Sequence, residues 1–125
     1  MSKRTAACAC GQLRITCEGA PLKVAVCHCL DCQRRTGSAF GISAFFARGA
    51  VNPEGRDITF RRTAESGHVI TFHFCPDCGS TVFWEPEVWP DAIAVAVGAF
   101  ADPFFPRPEK AVWENRAHPW VKISF

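Results

Sequence analysis

The sequence predicts a mainly β fold with few short helices, on three observations. Nine Gly and nine Pro in 125 residues punctuate the chain with turns. Apolar and polar residues alternate in several short runs. No stretch keeps an amphipathic helical period beyond about three turns. The chain is 48% hydrophobic with eleven Phe and four Trp, enough for a core. It is read as one domain, residues 1–125.

The elements follow in order. Leu13-Arg14-Ile15-Thr16-Cys17 alternates as a half-buried strand does, and Glu18-Gly19-Ala20-Pro21 turns the chain. Residues 22–26 read as a second strand delivering Cys27 at its end. Residues 30–36 suit a short helical turn that Gly37 ends. Residues 39–46 are apolar and read as a buried strand. Asn52-Pro53-Glu54-Gly55 is a turn signal. Residues 58–60 form a strand, and a polar turn runs through Glu65-Ser66-Gly67. Residues 68–74 alternate, with Ile70, Phe72 and Phe74 on one face. Residues 81–84 return as the second arm of a hairpin, and residues 92–97 are a further strand. Three prolines make residues 101–108 an irregular loop. Residues 121–125 are expected to close the sheet.

Seven of the eight cysteines fall into three tight groups. Cys75-Pro76-Asp77-Cys78-Gly79 is a knuckle: Pro76 presets φ, and Gly79 tolerates positive φ after the second sulfur. Cys8-Ala9-Cys10-Gly11 is its natural partner, since positions i and i+2 of an extended segment point the same way. Together these four thiols suit a closed tetrahedral zinc that holds the fold together. Cys27-His28-Cys29-Leu30-Asp31-Cys32 packs three more into six residues. Three thiolates leave a coordination position open for water, a substrate thiol or a carbonyl oxygen. His28 alternates away from its two neighbours. A distant side chain or Cys17 would close this second site, although Cys17 shares its strand with Leu13 and Ile15 and reads as core. His68 and His73 read as packing or surface histidines.

The N-terminus lacks the apolar stretch of a secretion signal, and the longest apolar run, residues 92–101, is half of the roughly 20 residues a membrane span needs. The expectation is a cytoplasmic protein without a membrane partner, where clustered cysteines favour metal over disulfides. The formal charge of +2 becomes −1 once seven thiolates hold two Zn²⁺, which argues against a general nucleic-acid partner.

In order along nearly the whole chain, several motifs resemble the glutathione-dependent formaldehyde-activating enzyme family, also called the CENP-V/GFA domain family. They are Cys8-Ala9-Cys10-Gly11, the segment from Cys27 to Cys32, Arg35-Thr36-Gly37-Ser38-Ala39-Phe40-Gly41, Cys75-Pro76-Asp77-Cys78-Gly79-Ser80 and Pro119-Trp120. The resemblance implies an Mss4-like zinc-bound β-sheet fold with two zinc ions. Cys8, Cys10, Cys75 and Cys78 would be structural ligands, and Cys27, Cys29 and Cys32 catalytic ones. It also implies a carbon–sulfur lyase that joins formaldehyde to the thiol of glutathione, giving S-hydroxymethylglutathione. Ala111 stands where many members carry His, so the thiol and aldehyde of this chain need not be those two.

On this reading His28 or metal-bound water moves the proton. Arg34 and Arg35 hold carboxylates of the thiol substrate or lie on the surface. Ser38 lines the pocket or serves the turn. Two other readings compete. A non-catalytic zinc scaffold would bind a protein or nucleic acid through Phe104-Phe105-Pro106-Arg107-Pro108 with Trp84 and Trp89. A redox switch would oxidise its clustered thiols and eject zinc. Oligomeric state is left open.

Overall fold

A computed structural model describes residues 2–125. Among the described residues, besides three short 3-10 turns, there are ten strands and one α-helix: β1 (Lys3–Ala7), β2 (Arg14–Glu18), β3 (Lys23–Cys27), α1 (Leu30–Thr36), β4 (Gly41–Ala47), β5 (Val51–Glu54), β6 (Ile58–Thr63), β7 (Val69–Phe74), β8 (Thr81–Pro86), β9 (Ala92–Ala96) and β10 (Lys110–Val112). They form a three-stranded sheet, β1-β2-β5, and a seven-stranded sheet, β10-β3-β4-β9-β8-β7-β6. Pairing is antiparallel except for β10, which runs parallel to β3. Among the described residues, no helix is long and apolar enough to cross a membrane.

Strand alternation gives the large sheet two different faces. Val24, Ala44, Phe46, Ile93, Val95 and Phe83 point to one side and pack with Ala6, Leu13, Ile15 and Cys17 of the small sheet. That is the main core, and Cys17 is fully buried within it. The opposite face is hollowed at its centre. The paired positions Ala25–Ser43–Ala96 and the neighbouring Gly41 and Ala94 carry almost no side chain. Around them stand Phe45, Ile70, Phe72 and Trp84, which form a second apolar cluster with Ala94 and Ala96. Small residues at mid-sheet and aromatic ones at the sides leave a trough, and α1 lies against it.

The structure corrects the sequence reading in several places. Residues 121–125 are irregular and join no sheet; the edge beside β3 is taken by β10. Lys3–Ala7 is a strand that the reading omitted. Residues 51–54 pair with β2 rather than turn, and the turn falls at Gly55, whose φ is +101°. A side chain there would lie 2.1 Å from the Gln12 carbonyl oxygen, so that close approach needs glycine. The strand at Ile58 continues to Thr63, which brings Arg62 to the trough.

Candidate active site and metal centres

The four-cysteine group is assembled by two similar turns. Gly11 donates to the Cys8 carbonyl at 3.0 Å and Gly79 to the Cys75 carbonyl at 2.8 Å. Gly11 and Gly79 sit at φ +84° and +80°, the left-handed region that favours glycine. The sulfur atoms of Cys8, Cys10, Cys75 and Cys78 all lie within 4.8 Å of one another. Cys8–Cys10 is 3.6 Å and Cys10–Cys75 is 3.7 Å. A tetrahedral zinc with Zn–S bonds of about 2.3 Å requires sulfur–sulfur edges of about 3.8 Å, so this donor set fits that ion. Donors already point at the sulfurs. Leu13 N–H donates to Cys8 Sγ at 3.3 Å, Asp77 N–H to Cys75 Sγ at 3.3 Å and Gln12 Nε2 to Cys75 Sγ at 3.0 Å. Such donors spread thiolate charge and orient the ligands.

Cys10, Cys75 and Cys78 are shifted in different directions from the ordinary thiol value. Hydrogen bonds with Ser80 lower Cys78 to about 5. Burial pushes Cys75 up, but Gln12 and the backbone N–H groups of Cys78 and Asp77 hold it below its ordinary value. A backbone contact with Gln12 draws Cys10 down, yet bonds to Cys8, Cys75 and Cys78, together with burial, push it up to about 12. Four like charges at this spacing repel, and a divalent cation removes that conflict.

The three-cysteine group sits where β3 meets α1. Cys27 ends β3, and Cys29 caps α1, its Sγ accepting the Cys32 N–H at 3.2 Å. The three sulfurs lie within 4.8 Å of one another, and no fourth His, Cys, Asp or Glu joins the group among the described residues. Cys17 is buried in the main core, not beside the trio. The trio therefore fits a metal bound by three sulfurs with one position free. The Cys27 hydrogen bond lowers Cys32 to about 6 against the effect of burial, assisted by Cys29, Arg35 and Arg62. The same bond, with burial, pushes Cys27 up.

The trio opens on the trough, a cavity of about 230 Å³. Cys27, Cys29 and Cys32 line it together with Phe45, Phe72, Trp84 and Trp113 and the cationic side chains of Lys23, Arg35 and Arg62. Arg35 is held firmly. Its Cζ lies 4.4 Å from the Trp84 ring centroid and 5.8 Å from that of Phe72, within cation–π range. Its Nε is buried with no hydrogen-bond partner. Gly41, opposite Cys27 in the sheet, makes room for it: a Cβ there would lie 2.9 Å from Arg35 Nη2. Arg62 lies over Phe72 at 5.0 Å and pairs with Asp31 at 2.6 Å, which ties α1 to β6. Trp113 holds φ at +55° without being glycine, a strained conformation of the kind that clusters at functional sites.

Other residues singled out from the sequence lie elsewhere. His28 is only 4% exposed, but it lines a separate cavity with Ala111, Ala117 and Val121 and tilts toward Phe40 at 5.9 Å. Its imidazole is on the far side of the chain from the trough, as its alternation predicts. Ala111 shares that cavity and does not line the trough. Arg34 is 80% exposed at its side chain and lines a neighbouring groove rather than the trough. Ser38 is exposed, and its N–H donates to Thr36 Oγ1, as a residue of the helix-ending turn does. The aromatic patch expected for a scaffold does not form. Trp84 and Phe105 are buried, Trp89 stacks on Phe45 at 5.3 Å, and of that set Phe104 alone is well exposed.

Lys23, Arg62, Gln12 and Gly41 were not legible as site residues. Lys23 carried a signal, because it shares strand parity with Cys27 and so faces the same way. Arg62 and Gln12 carried none, because their partners are remote in sequence.

No curated protein matches this chain. A crystal structure of a Rhodobacter sphaeroides protein has a similar fold. It is 20% identical, with a TM-score of 0.60 over 76% of this chain and 85% of that one. The family model described as glutathione-dependent formaldehyde-activating enzyme matches residues 3–118. With that match spanning both cysteine groups and the trough between β3 and β8, the chain belongs to the glutathione-dependent formaldehyde-activating enzyme family.

Proposed function

We propose that this chain is a zinc-dependent carbon–sulfur lyase that makes or breaks the adduct of a small thiol and an aldehyde, of the S-hydroxymethylglutathione type. The observation that carries the reading is an incomplete sulfur cluster on the wall of a cavity lined by cationic side chains. Cys8, Cys10, Cys75 and Cys78 would hold a structural zinc, and Cys27, Cys29 and Cys32 a catalytic one. Zinc held by three thiolates supplies a soft Lewis acid with one position for a thiolate or an aldehyde oxygen.

The chain's own residues do the rest. The aromatic walls Phe45, Phe72, Trp84 and Trp113 confine the reactants, which raises their effective concentration. Arg35 presents a fixed guanidinium beside the trio for an anionic oxygen. His28 faces another cavity, and Asp31 is occupied by Arg62. Of the carboxyls lining the trough, Glu65 has the looser ion pair, 3.5 Å to Arg116, and is the carboxyl we assign to move a proton.

Exchange spectroscopy of formaldehyde with glutathione tests the proposal. The protein should accelerate exchange, and Cys29→Ser should abolish the acceleration while the fold persists. Equal exchange rates with wild type, variant and buffer would refute it.

A further inference from the structure

The trough leaves two of its cations without a carboxylate partner, because Glu65, which also lines it, pairs with Arg116 at 3.5 Å. Three cationic side chains line it, and Arg62 is answered by Asp31 at 2.6 Å. Among the described residues, Lys23 and Arg35 pair with no carboxylate. Both rest on aromatic faces instead. Lys23 Nζ lies 5.5 Å from the Phe45 ring centroid, and Arg35 Cζ lies 4.4 Å from that of Trp84. Half-buried cations without anions are costly. A metal bound by three thiolates carries a formal charge of −1 and answers only one of them.

Their placement differs. Arg35 follows Cys32 by one helical turn and reaches over Gly41, so it lies beside the sulfurs. Lys23, Ala25 and Cys27 occupy alternate positions of β3 and face the trough together. Lys23 and Cys27 are four strand steps apart, a span of about 13 Å. The floor between them is Ala25 and Ser43, which obstruct nothing.

We infer that Lys23 and Arg35 form a two-point receptor for an elongated thiol compound bearing carboxylates. Arg35 receives the charge nearer the sulfur, and Lys23 receives a carboxylate at the far end of the trough. Lys23 thus selects for length. A short carboxylated thiol reaches Arg35 alone, and a neutral thiol engages neither. This inference rests on reading the trough as a thiol-adduct site, but it concerns binding and not chemistry.

S-methylglutathione is the probe, because its blocked sulfur removes the thiolate from the measured affinity. Binding is followed by calorimetry and by the fluorescence of Trp84 and Trp113, which line the cavity. Wild type should bind the probe at least tenfold more tightly than its dimethyl ester. Lys23→Met should weaken the probe about tenfold and leave S-methylmercaptoacetate unchanged, and Lys23→Arg should restore the probe. Arg35→Met should weaken both ligands. Equal affinity for acid and ester, or equal weakening of long and short ligands by Lys23→Met, would overturn the receptor. So would failure of wild type to bind the probe, whatever the exchange assay reports. A protein that discriminates as expected yet accelerates no exchange would uphold the receptor and remove only the lyase reading.

Discussion

Gly41→Ala should separate stability from function. Gly41 does not adopt positive φ, so alanine is acceptable to the backbone. Its Cβ would lie 3.5 Å from Cys32 Cβ and from Thr36 Cγ2, which is ordinary contact, but 2.9 Å from Arg35 Nη2. Ordinary carbon contact begins near 3.5–4.0 Å, so the guanidinium must retreat by about 0.6–1 Å. That end of the side chain can shift only by giving up its stacking on Trp84, a cost of about 0.5–2 kcal/mol. Replacing glycine returns about 0.4–1 kcal/mol through the unfolded state. The net change in stability runs from a gain of about 0.5 to a loss of about 1.6 kcal/mol, a melting shift of no more than about 8 °C for a chain of this size. Function has no such offset, because a displacement near 1 Å at a reacting site costs up to about a hundredfold. The paired assays are a thermal melt and formaldehyde–glutathione exchange, with at least a tenfold loss of exchange expected at a melting temperature within that shift. Wild-type exchange in this variant would refute the assigned role of Arg35. A fall of more than about 10 °C would refute the claim that the contact is soft.

Three further outcomes are expected. Cys75→Ser should unfold the protein at ordinary temperature, since structural zinc contributes about 10–16 kcal/mol in small metal-folded peptides and whole domains are stable by about 5–15 kcal/mol; circular dichroism and zinc stoichiometry report it, and a wild-type melt would count against a structural ion. Gln12→Leu removes a donor to Cys75 Sγ and the bonds that link Gln12 to both backbone groups of Arg56; it should cost about 1–3 kcal/mol and speed zinc loss to a chelator about tenfold or more, and unchanged release kinetics would exclude the assigned role. Glu85 sets a pH dependence: burial pushes its carboxyl up, but bonds from His73 and Arg48 outweigh this and hold it below the ordinary 4.5. Its stabilisation is therefore present above 4.5 and lost as pH falls toward the lower folded value, so Glu85→Gln should flatten the acid-side fall in melting temperature, and parallel curves would contradict this.

Local patterns were legible and remote ones were not. The cysteine turns announce themselves because proline, glycine and paired sulfurs sit within five residues, and the structure brings Cys8, Cys10, Cys75 and Cys78 together. The orientation of His28 follows from alternation alone. The trough is different. Ala25, Gly41, Ser43, Ala94 and Ala96 look like ordinary residues of buried strands, and become a cavity floor only when β3, β4 and β9 pair in this register. β10 is three residues long and is held by parallel pairing to a strand more than eighty positions earlier, so no local period marks it. Residues 121–125 have strand-like composition, but the position they were expected to fill is already occupied by β10.

The two cysteine groups also differ in how far apart their members lie along the chain. The trio spans six consecutive residues, whereas Cys10 and Cys75 are 65 positions apart. Loop closure grows costlier with separation, so as the chain emerges from the ribosome the trio can capture an ion long before Cys78 exists. If both groups take an ion, the incomplete trio would fill first, and an ion joining Cys8 and Cys10 to Cys75 and Cys78 would arrive last. Cells short of zinc should therefore accumulate chains loaded at the trio but still lacking the link between their N-terminal strand and the β7–β8 hairpin.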